Sequence, residues 1–259
     1  MSRPIALITG PTSGIGAGYA RRYARDGYDL VLVARDVDRL TQLAGELEGE
    51  GASTEILPAD LADPGDRAKV ADRLAAGVQV LVNNAGFVTS DEGEFWTADP
   101  ALLQKQLDVN VTAVMQLTRA ALPPMLDAGA GTVINIASVA GIVPGRGSTY
   151  SASKAWVISF TEGLAGGLQG TGVSVHAVCP GFVHTEFHAR AGIDQPKVPS
   201  FLWLEVDDVV SESLADIARG KLIIIPSIQY KAIVTAERLI PRNLLRATGK
   251  RLGGGRGRT

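Results

Sequence analysis

PIALITGPTSGIG, residues 4–16, joins a short apolar run to a glycine-rich turn, and its reading decides the fold. PIALIT is almost continuously apolar, as expected of a strand covered on both faces. TGPTSGIG (9–16) then puts Gly10, Gly14 and Gly16 where a tight turn, close backbone approach and helix packing would each exclude a Cβ. The N–H groups of the loop, with Thr12, Ser13 and Ile15 in it, and the positive end of the following helix suit a pyrophosphate. Tight turns need glycine for structure alone, so the motif draws its weight from its place after a first strand.

That strand begins a regular beat. Apolar runs at 4–9, 28–34, 53–59, 78–84, 131–138, 173–179 and 221–226 read as strands. Helical stretches lie between them, at about 14–26, 36–49, 64–76, 100–128, 149–169 and 206–219. Strand, helix, strand repeated this way means βαβ units, hence an α/β protein with a parallel sheet and helices on both faces. No linker or composition break interrupts residues 1–240, so one domain is expected there. The chain has 259 residues, 46% of them hydrophobic, enough for one sizeable core.

The bulk properties narrow the functional classes. A net charge of −2 gives no global pull toward nucleic acid. The single cysteine, Cys179, excludes an internal disulfide framework and fits a reducing compartment. No secretory h-region precedes the first strand, and no apolar stretch approaches the roughly 18 residues of a membrane span. A cytoplasmic protein is expected. Residues 238–259 depart from this character: six arginines and one lysine with no acid, ending in GGGRGRT. This end, assigned as a basic tail over 241–259, reads as a solvated helix with a flexible tail. The alternative is an amphipathic helix touching anionic lipid or an acyl carrier.

The end of the second strand discriminates between cofactors. An acid there would bind the ribose 2′-hydroxyl, whereas this chain has Ala34 followed by Arg35. A guanidinium at that corner favours a 2′-phosphate, hence NADP(H), with Ser13 and Arg39 as further donors. Asp36 either caps the next helix or grips the ribose of NAD; the cap is preferred because VDRLTQL follows.

YSASK (150–154) places Tyr150 and Lys154 one helical turn apart. An ammonium near a phenol favours the phenolate, which suits proton transfer near neutral pH, although Tyr–Lys pairs also occur on solvated helices. With both ends of the site in view, the chain resembles the short-chain dehydrogenase/reductase family over residues 4–226. The motifs that carry the likeness are TGPTSGIG, the Asp60-Leu61 pair, NNAG (83–86), Asn110 in LDVNVTAV, Ser138 in INIASVAG, YSASK and PGFVHT (180–185).

The resemblance implies a three-layer Rossmann fold with a doubly wound seven-stranded sheet, order 3-2-1-4-5-6-7. It implies that Asp60 and Leu61 meet adenine, that Asn83, Asn84 and Ala85 line the adenosine side, and that Lys154 holds the nicotinamide ribose. Pro180, Gly181, Val183 and Thr185 would cover the nicotinamide. Tyr150 would act as general acid for reduction and base for oxidation, its pKa lowered from about 10 by Lys154 and the oxidised cofactor. Ser138 would donate a hydrogen bond to the substrate oxygen, and Asn110 would hold a water linking Lys154 to solvent. Three features depart from the family pattern: Pro11 in the glycine turn, a short Ser138–Tyr150 segment, and the basic extension.

The variable substrate loop corresponds to 186–204, EFHARAGIDQPKVPSFLWL. Phe187, Phe201, Leu202 and Trp203, with Phe87, Val88, Ile142, Val143 and Phe182, suit a hydrophobic carbonyl or alcohol. Leu202 and Trp203 alternatively anchor the next helix. His184 and His188 lack a third ligand, so no metal is expected. The whole reads as an NADP(H)-dependent oxidoreductase, loosely of the ketoacyl reductase or hydroxysteroid dehydrogenase branch, and by resemblance a homodimer or homotetramer. The rivals are an NAD-dependent alcohol dehydrogenase of the same family and a non-catalytic NADP-binding regulator.

Overall fold

The computed structural model describes residues 3–88, 95–143, 149–186 and 198–239. The expected tail of 241–259, and Phe187 and His188 of the substrate loop, lie outside the described residues. Seven parallel strands form the sheet: β1 (Ile5–Thr9), β2 (Asp29–Ala34), β3 (Thr54–Pro58), β4 (Val80–Asn83), β5 (Gly131–Ile136), β6 (Val173–Val178) and β9 (Ile223–Ile224). Their order is β3-β2-β1-β4-β5-β6-β9. With β9 as the seventh strand in the chain's path through this sheet, that is the doubly wound order expected. The order reverses between β1 and β4, which pair as Ala6↔Val80 and Ile8↔Val82, so a cleft opens beyond their carboxyl ends.

The strands are buried on both faces because helices cover both. One face packs α1 (Gly14–Arg25), α2 (Val37–Gly49) and α7 (Val206–Ala218) over Ile8, Leu30, Leu32 and Val82. The other packs α3 (Pro64–Ala75) and α5 (Val114–Ala128) over Leu7, Val31, Leu81 and Val133. Local chemistry sets the helix starts. Asp36 accepts from the Arg39 N–H at 3.0 Å and Asp63 from Asp66 at 2.9 Å, while Asp99 accepts from Ala101 at 2.9 Å ahead of Pro100. Asp36 is therefore the helix cap.

Three features differ from the sequence expectation. The stretch 100–128 is not one uniform helix: α4 (Pro100–Leu107) and α5 are joined by a π-helical segment, Asp108–Ala113. The wider turn accommodates Asn110, whose amide bonds both backbone groups of Phe87 (2.9 and 3.1 Å) instead of leaving the bundle undisturbed. A two-stranded ribbon of β7 (Phe182–Val183) and β8 (Trp203–Leu204) stands outside the main sheet. Residues 228–239 form a further helix, α8 (Ile228–Leu239), following Ser227, whose φ is 75°. Finally, α6 (Thr149–Gly167) carries YSASK in its first two turns. Among the described residues no helix is long and apolar enough to cross a membrane.

Candidate active site

The glycine turn is held by groups buried beneath it. Thr9 ends β1 almost wholly buried, and its Oγ1 accepts the N–H groups of Asn84 and Ala85, both at 3.0 Å. The Asn84 amide returns two bonds, to the carbonyls of Thr9 and Gly10, both at 2.9 Å. Gly10 has φ +64°, and a Cβ on Gly16 would lie 2.3 Å from the Gly10 oxygen, so helix α1 approaches the turn more closely than any side chain would permit. On Gly14 a Cβ would lie 2.8 Å from Thr185 Cγ2, which brings the PGFVHT segment over the same turn. Thr12 and Ser13 sit half-buried at this turn, and the Ser13 hydroxyl makes no capping bond to α1. This cradle of glycines at a helix N-terminus has the chemistry to receive a dinucleotide pyrophosphate.

Not every residue expected along the cofactor presents its side chain. Leu61 and Val183 are buried in packing clusters, and Ile15 packs partly buried against two of them. The Asn83 amide is spent in the core, donating to Thr118 (3.0 Å) and Asn135 (2.9 Å), and Asn135 donates on to Thr161 (3.0 Å). Of the two asparagines in NNAG, the second braces the turn and the first ties β4 to β5 and the helices. Asp60 accepts from the Ala62 N–H (3.1 Å) and from Lys105 Nζ (3.3 Å), an α4 cation that the motifs did not single out.

At the second strand's end the two arginines differ. Arg35 is exposed and makes no hydrogen bond or ion pair among the described residues. Arg39 instead donates to Glu186 at 2.8 Å, with Asp36 3.6 Å away, an engagement that a sequence separation of 147 concealed. The pairing with Glu186 holds the Arg39 guanidinium above its ordinary pKa.

Asn110, Ser138, Tyr150 and Lys154 come together beyond β4 and β5. Lys154 is nearly buried and donates to the Ile136 carbonyl at 2.7 Å, with its Nζ 5.7 Å from the Tyr150 ring centroid. Ser138 is hydrogen-bonded to Tyr150; its Oγ also accepts from Ala140 N–H at 3.1 Å. Asn110 Nδ2 reaches Ser153 Oγ at 3.3 Å, and one turn earlier Gln106 accepts from Thr149 at 2.6 Å. These two rungs fix the rotation of α6 and so the direction of Tyr150 and Lys154. A Cβ on Gly86 would lie 3.1 Å from Asn110 Oδ1 and 3.4 Å from Lys154 Nζ; one on Gly141 would lie 2.6 Å from the Lys154 carbonyl carbon. Both glycines permit that convergence.

The electrostatics depart from the simple expectation of a phenolate beside a lysine. Burial lowers Lys154 to about 8, with nearby Cys179 opposing. Tyr150 rises to about 12 because desolvation outweighs the Ser138 hydrogen bond, although the residue as a whole is only half-buried. Without cofactor the phenol keeps its proton.

Beside the centre, Phe182 packs on Trp203 (5.5 Å between centroids), and His184 stacks on Trp203 at 4.8 Å. Leu202 joins a packing cluster with Val183, Leu204 and Tyr230, the anchoring alternative, whereas Phe201 is exposed. Phe87 and Ile142 lean against the core clusters. A groove of about 440 Å³ runs past Trp203, Glu205, Asp208, Glu212, Ser227 and Lys231. None of the four converging residues lines it, so it is separate from this centre.

The short chain dehydrogenase family profile matches residues 4–196. A very-long-chain 3-oxoacyl-CoA reductase of Anas platyrhynchos is 34% identical over 80% of this chain and 69% of its own length. Sulfoacetaldehyde reductase 2 of Chromohalobacter salexigens is 39% identical over 82% of this chain and 86% of that protein. Among solved structures, a short-chain dehydrogenase from Sphingobium yanoikuyae in complex with NADPH superposes with a TM-score of 0.82. It is 40% identical and covers 91% of this chain and 93% of that one.

Proposed function

This chain belongs to the short-chain dehydrogenase family, an oxidoreductase family acting on CH–OH and C=O groups with a nicotinamide cofactor, and we propose that it is an NADP(H)-dependent reductase of a hydrophobic ketone. The observation that carries the reading is the convergence of Ser138, Tyr150, Lys154 and Asn110 beside the glycine cradle. Bound NADPH would supply a hydride to the carbonyl carbon. Ser138 would donate to the oxygen as negative charge develops there, and Tyr150 would deliver the proton. A phenol held at about 12 is fully protonated at neutral pH, which suits the reductive direction. Lys154, at about 8, is mostly charged at pH 7, and its charge stabilises the phenolate left behind. Asn110, between Phe87 and Ser153, holds the helix turn open beside Lys154, where a water could restore the proton.

The 2′-phosphate assignment is supported by Arg35, exposed without a partner among the described residues, and by the use of Asp36 as a cap. The apolar substrate is supported by Phe182 and Trp203 and by the activity that the Anas reductase is named for. A small polar carbonyl is the second reading, favoured by the likeness to the sulfoacetaldehyde reductase. Pairing of two copies through α4–α5 and α6 belongs to the same proposal; Leu102, Met115 and Leu126 are exposed there. The test replaces Tyr150 with Phe and follows NADPH oxidation with 3-oxoacyl thioesters of rising chain length, bulky ketones and sulfoacetaldehyde. Turnover should vanish while NADPH affinity stays within about two-fold, since the deleted hydroxyl acts in proton transfer. Turnover that survives the substitution would sink the mechanism.

A further inference from the structure

Tyr230 lies on α8, outside every motif that identifies the family, yet it is nearly fully buried against the cofactor-covering segment. Its ring occupies the space beside Gly181: a Cβ on that glycine would lie 1.9 Å from Tyr230 Cζ. Its hydroxyl makes two bonds, accepting from the Phe182 N–H at 2.9 Å and donating to the Leu202 carbonyl at 2.8 Å. Phe182 opens β7 and Leu202 directly precedes β8, so one phenol ties together the starts of both ribbon strands. Two residues before Phe182, the Pro180 carbonyl accepts from the Val139 N–H at 3.0 Å and lies 3.5 Å from Ser138 Oγ. Beyond Val183, Thr185 packs over Gly14 of the cradle. The hydroxyl is therefore connected through a few residues of extended backbone to the Ser138 turn on one side and the glycine turn on the other.

Packing of α8 does not require that hydroxyl, since a phenylalanine ring would fill the same space. We propose that Tyr230 is a positioning residue for the reaction: its hydroxyl sets the separation of the β7 and β8 strands, and so the mouth through which nicotinamide and carbonyl meet Ser138 and Tyr150. The inference rests on the reductase reading above. Tyr230 is nearly fully buried and its two partners are half-buried, so water replaces the lost bonds only in part, and strands freed from the clip sample geometries that bind neither ligand well.

The experiment compares wild type with Tyr230→Phe in NADPH binding, KM, kcat per NADPH-binding site and thermal midpoint. Loss of one bridging hydroxyl should raise the NADPH Kd and the carbonyl KM about five- to ten-fold, with kcat within about two-fold. Gly181→Ala, which forces the ring aside without touching the hydroxyl's chemistry, should shift Kd and KM in the same direction. A lowered thermal midpoint with Kd and KM unmoved in both variants would mean scaffolding alone and overturn the proposal. If wild type reduces no carbonyl, the reductase reading falls. The NADPH Kd still decides the positioning role in that case, and an unchanged value in Tyr230→Phe overturns it.

Discussion

Replacing Lys154 by Met should make the folded protein more stable at neutral pH while destroying its activity. The lysine is 5% exposed, and burial brings its pKa from the ordinary 10.5 to about 8. Each pH unit of that difference is worth about 1.4 kcal/mol, so a charged Lys154 costs the fold roughly 3 kcal/mol at pH 7. Methionine of similar length removes that cost but also the 2.7 Å bond to the Ile136 carbonyl, which then lies unpaired. That loss offsets about 1–2 kcal/mol. The net gain is about 1–2 kcal/mol, or a rise in thermal midpoint of about 2–6 °C for a chain of this size. The pH dependence follows from the direction of the shift. The folded chain sheds this proton at about 8 and the unfolded chain only near 10.5. The stability contributed by neutral lysine is thus fully present above 10.5 and lost as pH falls through 8. The advantage of the Met variant should therefore be largest below pH 8 and close between 8 and 10.5. Thermal midpoints of both apo proteins from pH 6.5 to 10.5 measure this. A variant less stable at pH 7, or a difference that does not narrow with rising pH, refutes the burial argument.

Arg35→Ala should weaken NADPH binding about ten-fold and leave NADH nearly unchanged, the low end of a charge-assisted hydrogen bond because the side chain is exposed. Arg39→Ala should cost only about two- to three-fold, since the 2′-phosphate must compete there with Glu186. Nucleotide fluorescence titrations read both, and equal losses for the two cofactors would remove the 2′-phosphate from this corner. Gly16→Ala would place a Cβ 2.3 Å from the Gly10 oxygen and 2.4 Å from Asn84 Nδ2. Displacing that turn should weaken NADPH about 10- to 100-fold, on the 1–3 kcal/mol scale of overpacking. Wild-type affinity in that variant would show that the turn has room after all.

Much of the site was legible because its signals are local. Gly10 and Gly14 adopt positive φ that few other residues tolerate, so their identity reports their backbone. Asp36, Asp63 and Asp99 bond N–H groups two or three residues ahead, an interaction visible in any window of four. Tyr150 and Lys154 share a helix, which fixes their separation wherever the helix lies. Other features had no local signal. The π-helical turn at Asp108–Ala113 exists because Asn110 reaches Phe87, 23 residues back, and α8 was hidden in an apolar stretch broken by Pro226. Thr9 could have been noticed as the polar end of an otherwise apolar strand, but its bonds to Asn84 and Ala85 cross 75 and 76 residues.

By itself, then, the sequence determined the alternation of strands and helices and the glycine cradle, since each follows from periodicity or from backbone preference within a few residues; the four converging side chains were singled out by the resemblance of their motifs to a known family. Only the tertiary structure decided which asparagine braces the turn and that Glu186 holds Arg39 while Arg35 stays exposed. It also decided that burial raises Tyr150 and lowers Lys154 against the expectation from their charges, and that Tyr230 clips the ribbon. Those outcomes depend on what water is excluded and which distant groups are brought within about 3 Å, the range at which hydrogen bonds form. Packing of the whole chain sets that proximity.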